Sequence, residues 1–143
     1  MSESILFVGR SRFLKKDERK KIRLVLNQKA EEFNFKISWL QYVFVSDDAL
    51  LKMNQSVLNH NNYTDIITFD LSDQEGKIEG EIYISIDRVQ ENAKKYSVSF
   101  QEECVRVIGH GLLHLIGFKD KNKKASEKMR LQEEELISLY ERL

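Results

Sequence analysis

The sequence contains no proline and a single cysteine, and it carries no excess of charge of either sign. Because Cys104 has no second cysteine to pair with, an intramolecular disulfide is excluded, and we expect a cytoplasmic protein. No apolar run approaches the roughly 20 residues that a membrane-spanning helix needs, and the N-terminus lacks a signal-peptide pattern. Without any linker-like segment, residues 1–143 are expected to form a single domain.

Basic and acidic residues are equal in number, at 23 each. A protein that coats nucleic acid through phosphate contacts alone is usually basic overall, so this balance argues against general RNA coating. A local patch remains, because eight basic residues fall between Arg10 and Arg23. The basic face that includes Lys16, Lys20 and Arg23 is the best candidate contact for RNA in the sequence, although such faces are more often only solvated.

The spacing of apolar residues predicts an α+β fold, with a four-stranded mixed sheet and helices mainly on one face. Strands are predicted at Ile5–Val8, at Ile37–Val45, at Thr64–Phe69 as a buried central strand, and at Glu81–Ser85 after a hairpin turn at Asp73–Gly76. Helices are predicted from about Lys15 to Phe33, from Ser46 to Met53, from Asp87 to Tyr96, from just before Cys104 to Ile116, and from Lys124 to Tyr140. The fourth of these is apolar on nearly all sides and is predicted to be the buried central helix, ended by Gly117.

The chemistry of the sequence is concentrated in the segment from His110 to Asp120. His110 and His114 are at positions i and i+4, so on a helix their β-carbons lie about 6 Å apart on one face. Both imidazoles can then reach one zinc ion at about 2.1 Å. Gly117 lets the chain turn back, so that Asp120 can supply a third ligand. Three protein ligands leave one position for water, which is typical of a catalytic zinc site.

A pair of histidines at this spacing also occurs on helices that bind no metal. Here two of only three histidines lie on one stripe of the most apolar helix, with Gly109 and Gly111 beside the first. This context favours a metal site. Metallopeptidases with the same ligand spacing carry a glutamate directly after the first histidine as general base. Because this chain has Gly111 there, a peptidase is the disfavoured alternative, and the metal can serve the hydrolysis of another bond.

Three segments resemble the YbeY family of bacterial rRNA maturation factors: His110–Phe118, Thr64–Phe69 and Gly80–Ser85. The resemblance covers nearly the whole chain. It implies a single-strand-specific metallo-endoribonuclease that acts in 16S rRNA 3′-end processing and ribosome quality control. It also implies single-stranded RNA and the small ribosomal subunit as partners, and one zinc ion per chain as cofactor. A ribosome-assembly binding module with a structural metal is a third hypothesis.

The chain departs from the usual family pattern at two positions. The third ligand is usually a histidine, where this chain has Asp120; a carboxylate is an acceptable zinc ligand and tolerates other metals more readily. Many members also have an arginine in the loop before the Thr64–Phe69 segment, where Leu58 aligns. The second departure concerns the substrate side of the site and not the metal.

Other candidate residues follow from position along the chain. Arg106 lies one helical turn before His110, where it can neutralise charge that develops on a phosphodiester, or form a structural ion pair with a carboxylate such as Glu102. His60 is a candidate substrate contact or a loop-ordering residue. Asp65 is expected to be a structural carboxylate, which leaves the general base unassigned.

Overall fold

The computed structural model describes residues 4–57 and 64–143. In chain order, the elements of this part are β1 (Ile5–Gly9), α1 (Lys16–Glu32), β2 (Lys36–Val45), α2 (Asp47–Val57), β3 (Ile66–Asp70), β4 (Lys77–Ser85), α3 (Ile86–Lys95), α4 (Phe100–Ile116) and α5 (Lys123–Glu141). All the predicted strands and helices are present, so the α+β prediction is confirmed. No helix in the described ranges combines the length and apolar character needed to cross a membrane.

The four strands form one mixed sheet in the order β1-β2-β4-β3. The first three are parallel, and β3 pairs antiparallel with β4 through the predicted hairpin. The prediction that Thr64–Phe69 is a central strand is wrong. Because β4 uses its other side to pair with β2, the hairpin leaves β3 at the edge of the sheet, where Ile67 is its one buried residue among Ile66–Asp70.

One face of the sheet carries the hydrophobic core. Tyr42, Phe44, Ile82 and Ile84 on the two central strands are buried beneath the helices, as the alternation along a half-covered strand requires. Side chains of the opposite face remain accessible, with Leu6 46%, Val8 36% and Trp39 39% exposed. The prediction that the helices lie mainly on one face is therefore confirmed.

Helix α4 lies at the centre of this layer and has ten buried residues along its 17-residue length. The Ser99 side chain caps its first turn by accepting from the Glu102 N–H, and Gly117, with φ of 122°, ends it as predicted. A hydrogen bond also joins this helix to the sheet, because the Tyr42 hydroxyl on β2 donates to the Ile108 carbonyl over 2.8 Å. The central position of this helix is thus as expected from its apolar composition.

The N-terminal cap of α3 lies two residues before Asp87, the predicted start of this helix. The side chain of Ser85, and not that of Asp87, accepts from the Arg88 N–H at the start of the helix. Asp87 lies one residue inside the helix and accepts from the Asp47 N–H over 2.8 Å. The strand β4 therefore passes directly into α3, without the linker that a cap at Asp87 requires.

Gly111 marks the point of closest approach between α4 and the sheet. A β-carbon at this position would lie 2.7 Å from the Ile82 Cδ1 and 3.1 Å from the Ile66 Cδ1. The position that holds the catalytic glutamate in the peptidases therefore points into the packed interface between helix and sheet. Its glycine is explained by packing.

We predict that Gly111→Glu destabilises the protein by about 3–5 kcal/mol, because it buries an unpaired carboxylate in an interface that has no space for it. Gly111→Ala should cost about 1 kcal/mol, since small shifts of isoleucine side-chain ends can admit a methyl group. Denaturant unfolding followed by circular dichroism measures both. Ser138→Glu, at an exposed position of α5, is the matched control. Wild-type stability of Gly111→Glu would contradict this account of the interface.

Candidate metal centre

The structure brings His110, His114 and Asp120 together at the C-terminal end of α4. The two histidines lie on successive turns of the helix, and the turn at Gly117 returns the chain so that Asp120 faces them. Nε2 of His110 is 3.0 Å from Nε2 of His114. The Asp120 Oδ2 lies 3.5 Å from the first of these nitrogens and 3.6 Å from the second. The three ligand atoms thus form a nearly equilateral triangle.

The size of this triangle suits a tetrahedral metal site. Ligands at about 2.0–2.1 Å from a zinc ion lie about 3.4 Å apart along the edges of the tetrahedron. The three edges in this structure, 3.0, 3.5 and 3.6 Å, bracket that value. The side chains are 21%, 29% and 45% exposed in chain order, so the centre is open to solvent on the Asp120 side. An open side leaves access for water or a substrate oxygen.

Glu133, on α5, fixes the orientation of His110. Its Oε2 lies 2.5 Å from Nδ1 of His110, and the Glu133 side chain is only 10% exposed. Because an ionised carboxylate can only accept, Nδ1 carries the proton and donates it. The lone pair of Nε2 is thereby directed at His114 and Asp120. A carboxylate behind a ligating histidine is a common support of metal sites.

Helix α5 is itself held in place on either side of Glu133. The ammonium group of Lys29, whose side chain is fully buried, contacts Gln132 and Glu135 over 2.8 Å each. These contacts tie α1 to α5 at the level of the metal centre. Glu133 is not among the candidate residues predicted from the sequence. Its spacing was informative: it shares the inward stripe with Met129, Leu136 and Tyr140.

Arg106 lies beside this centre and is surrounded by carboxylates. Its guanidinium is 3.3 Å from the second oxygen of Glu133, 3.5 Å from Glu103 and 4.0 Å from Glu102. The structural ion pair with Glu102 that was considered as an alternative is therefore present at the limit of contact, with two closer partners. Whether the arginine also contacts a substrate stays a prediction.

The histidines have different electrostatic environments. Burial lowers the pKa of His110, but the hydrogen bond and charge of Glu133, with smaller effects of Asp65 and Asp120, raise it overall. Burial, then the charge of His110, lowers the pKa of His114. Since metal binding needs both rings unprotonated at Nε2, protons compete with the metal mainly at His110 as the pH falls.

A polar cleft of about 580 Å³ opens beside the centre, between α3, α4 and α5. Asp65, Glu103, Arg106 and Glu133 are among its lining residues, together with the ligands His110 and Asp120. Burial raises the pKa of Asp65, and burial, partly offset by Arg106, raises that of Glu103 to about 7. Asp65 thus lines the cleft that contains His110, and its structural role stays a prediction.

The remaining candidates lie elsewhere. Lys16 and Lys20 are exposed near the start of α1. The Arg23 Nε donates to the Ile5 carbonyl over 2.9 Å, and the guanidinium lies over the Phe7 ring, so this residue packs against β1. His60 and Leu58 lie outside the described residues. An RNA contact by any of them stays a prediction.

Comparisons with known proteins agree on one family. The family model described as Endoribonuclease YbeY matches residues 9–141. A protein of that name from Cytophaga hutchinsonii is 47% identical over 137 residues, which are 96% of each chain. One from Christiangramia forsetii is 46% identical over 110 residues, 77% of this chain and 76% of the relative. The solution structure of TM1509 from Thermotoga maritima superposes with a TM-score of 0.66 at 27% identity, covering 95% and 87% of the two chains.

We predict that Glu133→Gln weakens metal binding roughly 10- to 100-fold, because a neutral amide no longer imposes the Nδ1–H tautomer on His110. Competition with a zinc chelator measures the affinity directly. Glu134→Gln, which changes an exposed neighbour on the same helix, is the matched control and should bind as the wild type does. Equal affinities in the two variants would contradict the orienting role of Glu133.

Proposed function

Because the chain belongs to the YbeY family of endoribonucleases, we propose that it is a zinc-dependent enzyme that cuts single-stranded RNA in 16S rRNA 3′-end maturation and ribosome quality control. Family membership makes the chain an endoribonuclease, a hydrolase of phosphodiester bonds with a role in rRNA processing. The proposed partner is the RNA of the small ribosomal subunit, and the proposed place of action is the cytoplasm. We propose that residues 1–143 act as one domain.

The observation that carries the proposal is the convergence of two imidazole nitrogens and one carboxylate oxygen within 3.6 Å of one another. We propose His110, His114 and Asp120 as the ligands. Two imidazoles and one carboxylate form a donor set that zinc accepts readily. When bound, zinc supplies a Lewis acid that polarises a phosphate and lowers the pKa of water.

The protein's own groups act around this centre. Glu133 holds the proton on Nδ1 of His110 and so keeps Nε2 free for the metal. Arg106 contacts the other oxygen of Glu133 over 3.3 Å and helps to hold that side chain in place. A contact between Arg106 and the scissile phosphate remains a proposal, supported by its place in the cleft. The general base stays unassigned.

Two other functions are less well supported. A metallopeptidase needs its glutamate where Gly111 packs against Ile82, so the chain lacks both the residue and the space for it. A binding module with a structural metal needs a closed set of ligands. In the described part of the chain the candidate group contains three residues, which is one fewer than a closed tetrahedral site.

The first test of the proposal is metal-dependent cleavage. We expect purified protein to hold about one zinc ion per chain, and to cleave a labelled single-stranded RNA in preference to the same RNA in a duplex. His114→Ala should lose both the zinc and the cleavage, because two remaining ligands rarely hold the ion. Elemental analysis and gel assays measure the two properties. Full zinc occupancy in His114→Ala would rule out this centre.

The second test concerns the unusual third ligand. Asp120→Ala should weaken zinc binding at least tenfold, because two neutral imidazoles leave the dication without charge compensation. Asp120→His should retain or tighten binding, since it restores a third imidazole. Asp120→Asn controls for shape, because it keeps the side-chain size and removes the charge. If Asp120→Ala binds zinc as tightly as the wild type, Asp120 is not a ligand.

A further inference from the structure

A second groove, of about 590 Å³, lies next to the metal centre on the other side of the turn that carries Asp120. Its apolar lining includes three half-buried phenylalanines, Phe33, Phe35 and Phe118, and the first and last of these pack edge to face at 5.2 Å. Three exposed lysines, Lys119, Lys124 and Lys128, line it as well. We call this set the phenylalanine–lysine groove.

The charge of this groove is of one sign. None of the described residues that line it is acidic, and its three lysines form no ion pair within the described part of the chain. By contrast, the cleft on the Glu133 side is lined by Asp65, Glu103 and Glu133 beside its arginines. In a chain with no net charge, the groove is therefore a local surface that attracts a polyanion.

The position of the lysines costs stability. Lys123 and Lys124 occupy the first turn of α5, which contains no acidic residue. Cations at a helix N-terminus oppose the helix dipole, whose positive end lies there. A local arrangement that opposes stability, with no compensating contact in the described structure, is more often explained by binding than by folding.

The groove is continuous with the metal centre. Lys119 directly precedes the proposed ligand Asp120, and its charge is among those that act on His114. The basic face of α1 is farther from the groove. Phe33, which lines the groove, directly follows the last residue of α1, whereas Lys16 is the first residue of that helix and lies about 25 Å away along the helix axis. A strand of RNA that leaves the metal centre therefore reaches Lys119 and Phe118 before any lysine at the start of α1.

From these observations we infer that the phenylalanine–lysine groove binds the single-stranded RNA next to the cleaved bond, with a base stacked against Phe118 and phosphates held by Lys124 and Lys128. The inference rests on the proposed function for its substrate class. Aromatic faces and cations together suit single-stranded RNA, because stacking accepts any base and cations follow the backbone. Lys124 and Lys128 lie one above the other on α5, so both can contact one strand.

The test compares two double charge reversals with the same change in net charge. Lys124→Glu with Lys128→Glu alters the groove, and Lys52→Glu with Lys94→Glu, at exposed positions of α2 and α3, is the control variant. Single-turnover cleavage of a labelled single-stranded RNA, over a range of enzyme and salt concentrations, gives the half-saturating concentration and the maximal rate. The groove variant should raise the half-saturating concentration roughly fivefold or more. Its salt dependence should become shallower by about 1.4 in logarithmic slope, for two lost phosphate contacts.

The control variant should change the half-saturating concentration less than about twofold. Zinc content should remain that of the wild type in both variants. Equal losses in the two would show that affinity follows net charge alone and would overturn the inference. Wild-type affinity and slope in the groove variant would do so as well, and would leave a protein partner as the remaining occupant.

The aromatic part is tested by Phe118→Leu, which keeps an apolar side chain and removes the stacking face. RNA affinity should fall roughly fivefold. Phe100→Leu, at the other end of α4, is the control and should bind as the wild type does. Fluorescence anisotropy on metal-free protein gives affinity without cleavage. If the zinc-loaded wild type cleaves no RNA, the proposed function fails, and the anisotropy comparison still decides whether the groove binds RNA.

Discussion

The hydrogen bond between Glu133 and His110 is the interaction on which the candidate site depends. It joins the last helix to the central one and determines which ring nitrogen faces the other two ligands. Everything that holds Glu133 in place therefore acts on the metal centre from a distance. The contacts of Lys29 with α5 and the ion pair of Arg106 with the same carboxylate both belong to this support. Packing of helices and chemistry of the site are thus set by the same few charged side chains.

The second constraint is the close approach of α4 to the sheet. Gly111 lets the helix lie directly on Ile82 and Ile66, while the side chains of His110 and His114 on the same helix stay 21% and 29% exposed. The same packing removes the position that a peptidase uses for its base. A change of one residue next to the first ligand therefore separates two kinds of hydrolase that share a ligand spacing.

Most of the fold could be predicted from the sequence, because the main signals of secondary structure are local. The stop at Gly117 and the apolar composition of α4 depend on residues within a few turns, and they predicted that helix closely. The three candidate ligands were also predictable as a group, since they fall within eleven consecutive residues. The edge position of β3 in the sheet was not predicted, because strand order depends on pairing between distant segments. The contact of Arg106 with Glu133 depends on α4 and α5, two helices that meet only in the folded chain.

The burial of Glu133 could have been predicted from the sequence. It lies on the buried stripe of α5, four residues after Met129 and three before Leu136. An acidic residue on an apolar stripe needs a partner, because a buried unpaired charge is unfavourable. The pattern therefore signalled a contact, but the identity of the partner required the packing of α5 against α4. The groove beside Phe118 also depends on segments that are distant in sequence, since Phe33, at the end of α1, packs against Phe118.

The short turn after Gly117 carries Lys119 and Asp120 as neighbours, one on the groove and one at the metal centre. On the proposed roles, Phe118 contacts the RNA and Asp120 contacts the metal, so residues of one short turn serve both and binding of one partner orders backbone that the other uses. Binding that is coupled in this way is reciprocal: whatever factor the metal adds to RNA affinity, RNA adds to metal affinity. If both proposed roles hold, the turn is a thermodynamic link between the binding of the substrate and the binding of the metal.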